Sequence, residues 1–160
     1  MSAITVRPAT LGDVEFLVQG NARMALETES KTLDPGRLRA GVRAVFDDPA
    51  RGFYLIAEID GQPAGQMMIT YEWSDWRNGN FWWIQSVYTL PDSRGRGVFK
   101  ALYAHVDSLA KQESLVCGLR LYVESHNQRA QEAYLACGMG KAIYRMFEVD
   151  YSVVGQFEIR

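Results

Sequence analysis

Cysteine is scarce: Cys117 and Cys137 are the only two in 160 residues, and neither lies in C-x-x-C spacing. That argues against a disulfide framework, and with His105 and His126 as the only imidazoles, far apart, no zinc ligand set forms. Both cysteines read as buried packing residues, and no metal is expected. No apolar run approaches the roughly 20 residues that cross a bilayer, so no membrane partner is expected. The opening Met1-Ser2-Ala3-Ile4-Thr5-Val6-Arg7 lacks the apolar centre of a secretory signal, which makes the cytoplasm the expected compartment. Neither sign of charge dominates. Seventeen Lys and Arg stand against nineteen Asp and Glu, and a net charge of -2 gives no general attraction to nucleic acid. Internal repeats and low-complexity linkers are also missing. What is present, 48% hydrophobic and 22% charged residues, suits one globular domain spanning residues 1–160.

Ile4 and Val6 read as a short strand stopped by Pro8, whose nitrogen carries no hydrogen to continue a ladder. A helix follows, capped by Thr10 or Asp13, with Leu11, Val14, Leu17, Val18 and Ala25 on one side. Asp34-Pro35 opens a second helix, buried through Leu38, Val42, Val45 and Phe46 and closed by Asp47-Asp48-Pro49. Phe53 to Ile59 is rich in strand formers, Asp60-Gly61 is a hairpin turn, and Ala64 to Trp73 returns as a longer strand. Phe81 to Thr89 reads as the third strand of this meander. A helix over Gly97 to about Glu113 follows, then a strand through Leu119, Leu121 and Val123, a helix over Asn127 to Cys137 stopped by Gly138, and a strand from Ile143 to Tyr151. A further weak strand is expected at the terminus. The order specifies an α/β (α+β) fold: a mixed, mainly antiparallel sheet of six to seven strands with about four helices on both faces.

The sharpest local signal is Val87-Tyr88-Thr89-Leu90-Pro91-Asp92-Ser93-Arg94-Gly95-Arg96-Gly97-Val98-Phe99-Lys100, a strand running through a glycine turn into a helix. Unpaired N–H groups and the positive end of the helix dipole attract an anion there, and Gly95 and Gly97 let a phosphate approach the backbone. Arg94, Arg96 and Lys100 add charge suited to a pyrophosphate. A P-loop is excluded because Gly-Lys-Ser/Thr is absent, and a dinucleotide fingerprint because Lys100 stands where a third glycine is needed. Taken alone, the segment also fits a flexible turn before a basic surface helix.

The segment resembles the acyl-CoA-binding signature of the GNAT superfamily of N-acetyltransferases, Arg/Gln-x-x-Gly-x-Gly/Ala after a strand and a proline-containing turn. Val6-Arg7-Pro8-Ala9-Thr10 with Asp13 resembles that family's opening. Leu121-Tyr122-Val123 through Asn127, Ala130, Tyr134 and Gly138-Met139 resembles its second signature. Phe99 departs from the pattern, which has Gly, Ala or Ser there, so either its ring points away from the phosphate or the turn is shifted. The resemblance implies acetyl-CoA as donor, an amine acceptor and direct transfer in a ternary complex. It implies contacts from Val87, Tyr88 and Thr89 to the pantetheine arm, from Arg94, Gly95, Arg96, Gly97, Val98, Phe99 and Lys100 to the diphosphate, and from Asn127 to CoA. Asn127 also reads as an N-cap. A backbone N–H near Val87 or Tyr88 would meet the developing oxyanion.

By the same resemblance Tyr134 is the general acid, against a reading as a core tyrosine beside Ala130 and Cys137. Many relatives carry a glutamate on the strand before the glycine turn; here Gln85 stands in that region and cannot take a proton, which leaves Glu72 as the candidate base. A solvated strand-end carboxylate is the other reading of Glu72. Trp73, Trp76, Trp82 and Trp83, with Tyr71 and Phe81, fit three uses: an acceptor pocket, a homodimer contact, or core packing. The alternative function on the same fold is acyl-CoA sensing or protein binding without turnover. The acceptor depends on loops at Lys31 to Asp34 and Trp73 to Asn80, which carry no readable pattern.

Overall fold

The computed structural model describes residues 2–152. Its elements run β1 (Ile4–Pro8), α1 (Val14–Glu29), α2 (Pro35–Asp47), β2 (Phe53–Ile59), β3 (Gln62–Ser74), β4 (Gly79–Thr89), α3 (Val98–Gln112), β5 (Val116–Arg120) and α4 (Gln128–Ala136). They fall into two units divided after Glu124. The first holds the sheet and α1 to α3, and the second holds α4 and the irregular chain that follows it.

Alternation in β2 explains the layering of the first unit. Leu55, Ala57 and Ile59 point into a cluster with Val98, Leu102, Val106 and Ala110 of α3. Tyr54 and Ile56 point the other way, to Val14, Leu17 and Val18 of α1 and Val42 of α2. A strand buried on both faces reads as a continuous apolar run, which is how Phe53 to Ala57 reads in the sequence before Glu58. The five strands lie in the order β1-β2-β3-β4-β5, antiparallel except for the last pair. The β4–α3–β5 crossover supplies that parallel pair.

Local chemistry sets the ends. Asp60 and Gly61, at φ 50° and 77°, form the β2–β3 turn. Asp34 accepts from the Arg37 amide at 2.7 Å, with Pro35 in the first turn of α2. Thr10 opens a 3-10 turn over Leu11–Asp13 before α1 begins. Asp13 is buried, and its carboxylate accepts from Arg7 at 2.8 and 3.0 Å and from the Thr10 amide at 2.7 Å. The Arg7 hydrogen bonds hold its pKa below the usual carboxylate value. A carboxyl whose folded pKa is lowered stabilises fully above its unfolded pKa of about 4, and this stabilisation is lost as the pH falls through the lowered value. Asp13→Asn should therefore destabilise by about 1–2 kcal/mol at pH 7. Thermal melts between pH 2 and pH 7 should show the gap to wild type closing on the acid side.

The sheet has five strands among the described residues, not six to seven. Ile143 to Tyr151, expected as a strand, has no ladder partner among the described residues, and Ile143, Phe147 and Tyr151 are exposed. Strand propensity there is real, but a strand exists only where another edge pairs with it. The weak terminal strand lies outside the described residues. β5 also begins earlier than Leu119 and ends at Arg120, so Leu121 and Val123 follow it as irregular chain. Cys137 is half-buried, and Cys117, on the edge strand β5, is exposed, contrary to the buried packing expected of both.

Candidate active site

Two features of β4 create a site. β5 pairs only with Asn80 to Trp83, so from Ile84 to Thr89 β4 keeps β3 on one edge and has no strand on the other among the described residues. Within that stretch the ladder to β3 shifts register, with Gln66 opposite Tyr88 but Met68 opposite Gln85. Ser86, at φ 50°, lies in this bulge. The extra residue reverses the alternation. Before it Trp82 and Ile84 face the α3 core; after it Val87 does, while Tyr88 reaches Glu27 of α1. Main-chain groups near Ser86 and Val87 are thereby released from regular pairing.

Gln66, fully buried, braces the bulge. Its Nε2 donates to Asn21 Oδ1 at 3.1 Å and to the carbonyls of Leu17 and Ser86, both at 3.4 Å. All three neighbours are acceptors, which fixes the orientation of the amide and leaves its Oε1 without a hydrogen-bond partner.

β4 runs through a 3-10 turn, Pro91–Ser93, into Gly95 and Gly97, at φ 74° and 87°. Gly97 is the N-cap of α3, and the first helical bond runs from the Ala101 amide to its carbonyl. The amides of Val98, Phe99 and Lys100 therefore have no acceptor within the helix. A Cβ at Gly95 would meet nothing within 4 Å, so the turn is open. Arg96 and Lys100 are exposed and form no ion pair among the described residues. Arg94 has partners within the fold: its Nη2 meets Glu27 Oε2 at 2.7 Å, its Nε donates to the Thr89 carbonyl at 3.1 Å, and its guanidinium carbon lies 5.4 Å from the Tyr88 ring centre. The Tyr88 hydroxyl donates to the other Glu27 oxygen at 2.8 Å. These two donors lower the Glu27 pKa, and burial together with Glu27 raises that of Tyr88. Phe99, the departure from the signature, packs its half-buried ring against the α3-side core and Tyr103.

An exposed glycine turn leading into a helix start, with two cations beside it, suits a diphosphate, and a strand edge left open among the described residues suits an amide-bearing arm. A family profile described as the Acetyltransferase (GNAT) family matches residues 22–139. The chain belongs to that family. It is similar over 92% of its length, at 38% identity and TM-score 0.85, to the crystal structure of a possible acetyltransferase from Clostridium difficile 630, of which it covers 97%. Two other solved structures share the fold at lower identity. One is a predicted acetyltransferase from Clostridium acetobutylicum with acetyl-CoA, at 19% identity, 92% of this chain, 96% of that one and TM-score 0.74. The other is an aminoglycoside N-acetyltransferase in complex with CoA, at 16% identity, 94% and 97% coverage and TM-score 0.74. No curated protein sequence matches the chain.

The remaining candidates of this GNAT chain lie on other elements. Glu72 faces the α1/α2 side, and its carboxylate accepts from Arg120 at 2.5 Å. Gln85 donates to Thr70 on the same face. In the second unit, Asn127 caps α4 by accepting from the Ala130 amide at 3.1 Å. Tyr134 lies on α4, half-buried, with its pKa raised by desolvation.

Strand alternation also divides the aromatic cluster. Trp82 packs edge-on against Phe53 at 5.4 Å and beside Tyr71 at 6.2 Å as part of the α3-side core. Phe81 lies on the opposite face with Arg120, and Trp83 beside Tyr122 at 6.1 Å, while Trp73 and Trp76 are exposed. Glu27, Ser86 and Gln66 carry no motif. For Gln66 alone a signal existed, a single long polar side chain inside the apolar run from Ala64 to Ile69. Among the described residues no helix is long and apolar enough to cross a membrane, and no group of three metal-ligating side chains occurs.

Proposed function

We propose that the chain transfers the acetyl group of acetyl-CoA to a primary amine by direct attack in a ternary complex. The observation that carries this reading is the junction of the open β4 edge with the exposed glycine turn that starts α3. The amides from Gly95 to Lys100, with Arg96 and Lys100, would hold the diphosphate. Arg94 shapes the turn through Thr89 and Glu27. Val87, Tyr88 and Thr89 offer main-chain groups to the amides of the pantetheine arm, as an added strand pairs with a sheet edge.

With the diphosphate at the turn and the arm along β4, the thioester would lie toward the bulge. The amine nitrogen attacks the carbonyl carbon, a C–N bond forms, and the negative charge on oxygen is met by a main-chain N–H near Val87. As the C–S bond breaks, the thiolate takes a proton from Tyr134, and the new amide's nitrogen loses one to water or to a carboxylate. Partial burial lifts the tyrosine above its usual pKa of about 10, which keeps that proton in place at neutral pH. Glu72 is the carboxylate in the region, reached through water, and an amine that arrives neutral needs no base. Asn127 donates its amide NH2 to CoA while its carbonyl caps α4.

Thiol release with a broad amine panel, on wild type and Tyr134→Phe, tests the reading. A CoA thiol with pKa of about 8.5 is a tolerable leaving group, so the variant should lose about 10- to 100-fold in kcat with the acetyl-CoA KM unchanged. Tight CoA binding with no amine-dependent thiol release would overturn transfer and leave a binding domain.

A further inference from the structure

The point where β5 leaves β4 carries a charged group that acetyl transfer as described leaves unused. Arg120 is the last residue of β5 and stands opposite Trp83, the last β4 residue in the parallel ladder. Its Nη1 donates to Glu72 Oε1 at 2.5 Å, and its guanidinium carbon lies 3.5 Å from the centre of the Phe81 ring. Arg77, from the β3–β4 hairpin, reaches the same ring at 4.9 Å. Glu72 pairs with Arg120, and Arg77 brings a second guanidinium to the same ring.

Phe81 is buried, and contact with its ring orients the Arg120 plane. Glu72 engages one nitrogen of a side chain that offers five N–H donors in a fixed fork. The Arg120 side chain is 30% exposed, so the remaining donors reach solvent. An oriented, partly buried guanidinium with unused donors is the usual means of binding an oxyanion through two parallel hydrogen bonds.

Position makes this a specificity group. The α3 face of the fork is filled by Val106 and Ala110 of the core, with Trp82 and Ile84 packed among them. The other face carries Thr70, Glu72, Gln85 and Arg120, none of them buried, beside the rings of Phe81 and Trp83. An amine approaching a thioester on the β4 edge across this polar and aromatic face would pass Arg120. Resting on the acetyl transfer proposed above, we propose that the acceptor is a small amine bearing an oxyanionic group, carboxylate or phosphate. Arg120 binds that group, Arg77 strengthens the local field, and Glu72 faces the amine end.

Matched pairs of amines, assayed by thiol release, test this. α-, β- and γ-amino acids are compared with their carboxamides, and aminoalkyl phosphates with the corresponding amino alcohols; the two series distinguish carboxylate from phosphate. The charged member of at least one pair should show a kcat/KM about tenfold higher or more. In Arg120→Met the ratio should fall toward one, and Arg120→Lys should keep part of it. Should Arg120→Met fail to fold, Arg77→Met on the exposed hairpin should give a smaller fall in the same ratio. Transfer that prefers uncharged or polycationic amines, or a preference unmoved in these variants, overturns the assignment and leaves acetyl transfer standing. Absence of thiol release from every amine overturns both.

Discussion

Gly97→Val should weaken acetyl-CoA binding about a hundredfold while costing only a few degrees of thermal stability. The stability effect is small because a Cβ at Gly97 meets one atom, Ile4 Cδ1, at an ordinary 3.9 Å. What remains is the left-handed backbone at φ 87°, which costs an L side chain about 2 kcal/mol, or about 4–8 °C in a chain of this size. The binding effect is large because the isopropyl group would stand where a phosphate must approach the amides of Val98 and Phe99. Losing two charge-assisted hydrogen bonds at the weak end of their range, about 1.5 kcal/mol each, gives the hundredfold. Calorimetric titration and a thermal melt of the same preparation separate the two quantities. A dissociation constant within threefold of wild type would show that the turn does not carry the ligand.

Gly20→Ala should destabilise the protein by about 2 kcal/mol, the reverse of what helix propensity predicts. Alanine in place of a mid-helix glycine ordinarily gains about 1 kcal/mol. Gly20 lies inside α1 against the sheet, and a Cβ there would come within 2.1 Å of Gln66 Oε1 and 2.7 Å of its Cδ. Gln66 has nowhere to go: it is fully buried and bonded to Asn21, Leu17 and Ser86. Either it gives up those bonds or α1 moves off the sheet, and overpacking of this kind costs about 1–3 kcal/mol. The comparison is made by thermal or denaturant melts of the single variants and of Gly20→Ala with Gln66→Ala. With the amide removed, the alanine should become neutral or stabilising, a change of sign that a propensity effect alone would not produce. Because Gln66 braces the bulge, Gly20→Ala should also lower kcat.

The elements whose signals are local were legible in the sequence. Asp34-Pro35, Asp60-Gly61 and the Gly95–Gly97 turn each act through side chains or dihedrals within a few residues, and the structure places a helix start or turn at each. What depends on a distant partner was not legible. Ile143 to Tyr151 has the composition of a strand but no pairing edge among the described residues. The bulge at Ser86 is braced by Gln66 of β3, which is itself held by Asn21 of α1. The same holds for the site. Arg94 reads as a phosphate ligand from the motif alone, and the fold adds its ion pair with Glu27, sixty-seven residues away. The four tryptophans read as one cluster; alternation along β3 and β4 sends Trp82 to the core and Trp83 to the other face.

The most direct measurement is a crystal structure of the protein grown with acetyl-CoA. The diphosphate should lie within hydrogen-bonding distance of main-chain nitrogens between Gly95 and Lys100, with the pantetheine amides paired to β4 between Ile84 and Thr89 and the thioester beside the Ser86 bulge. Density for the ligand at another surface, or a turn left empty at saturating concentration, would contradict the account.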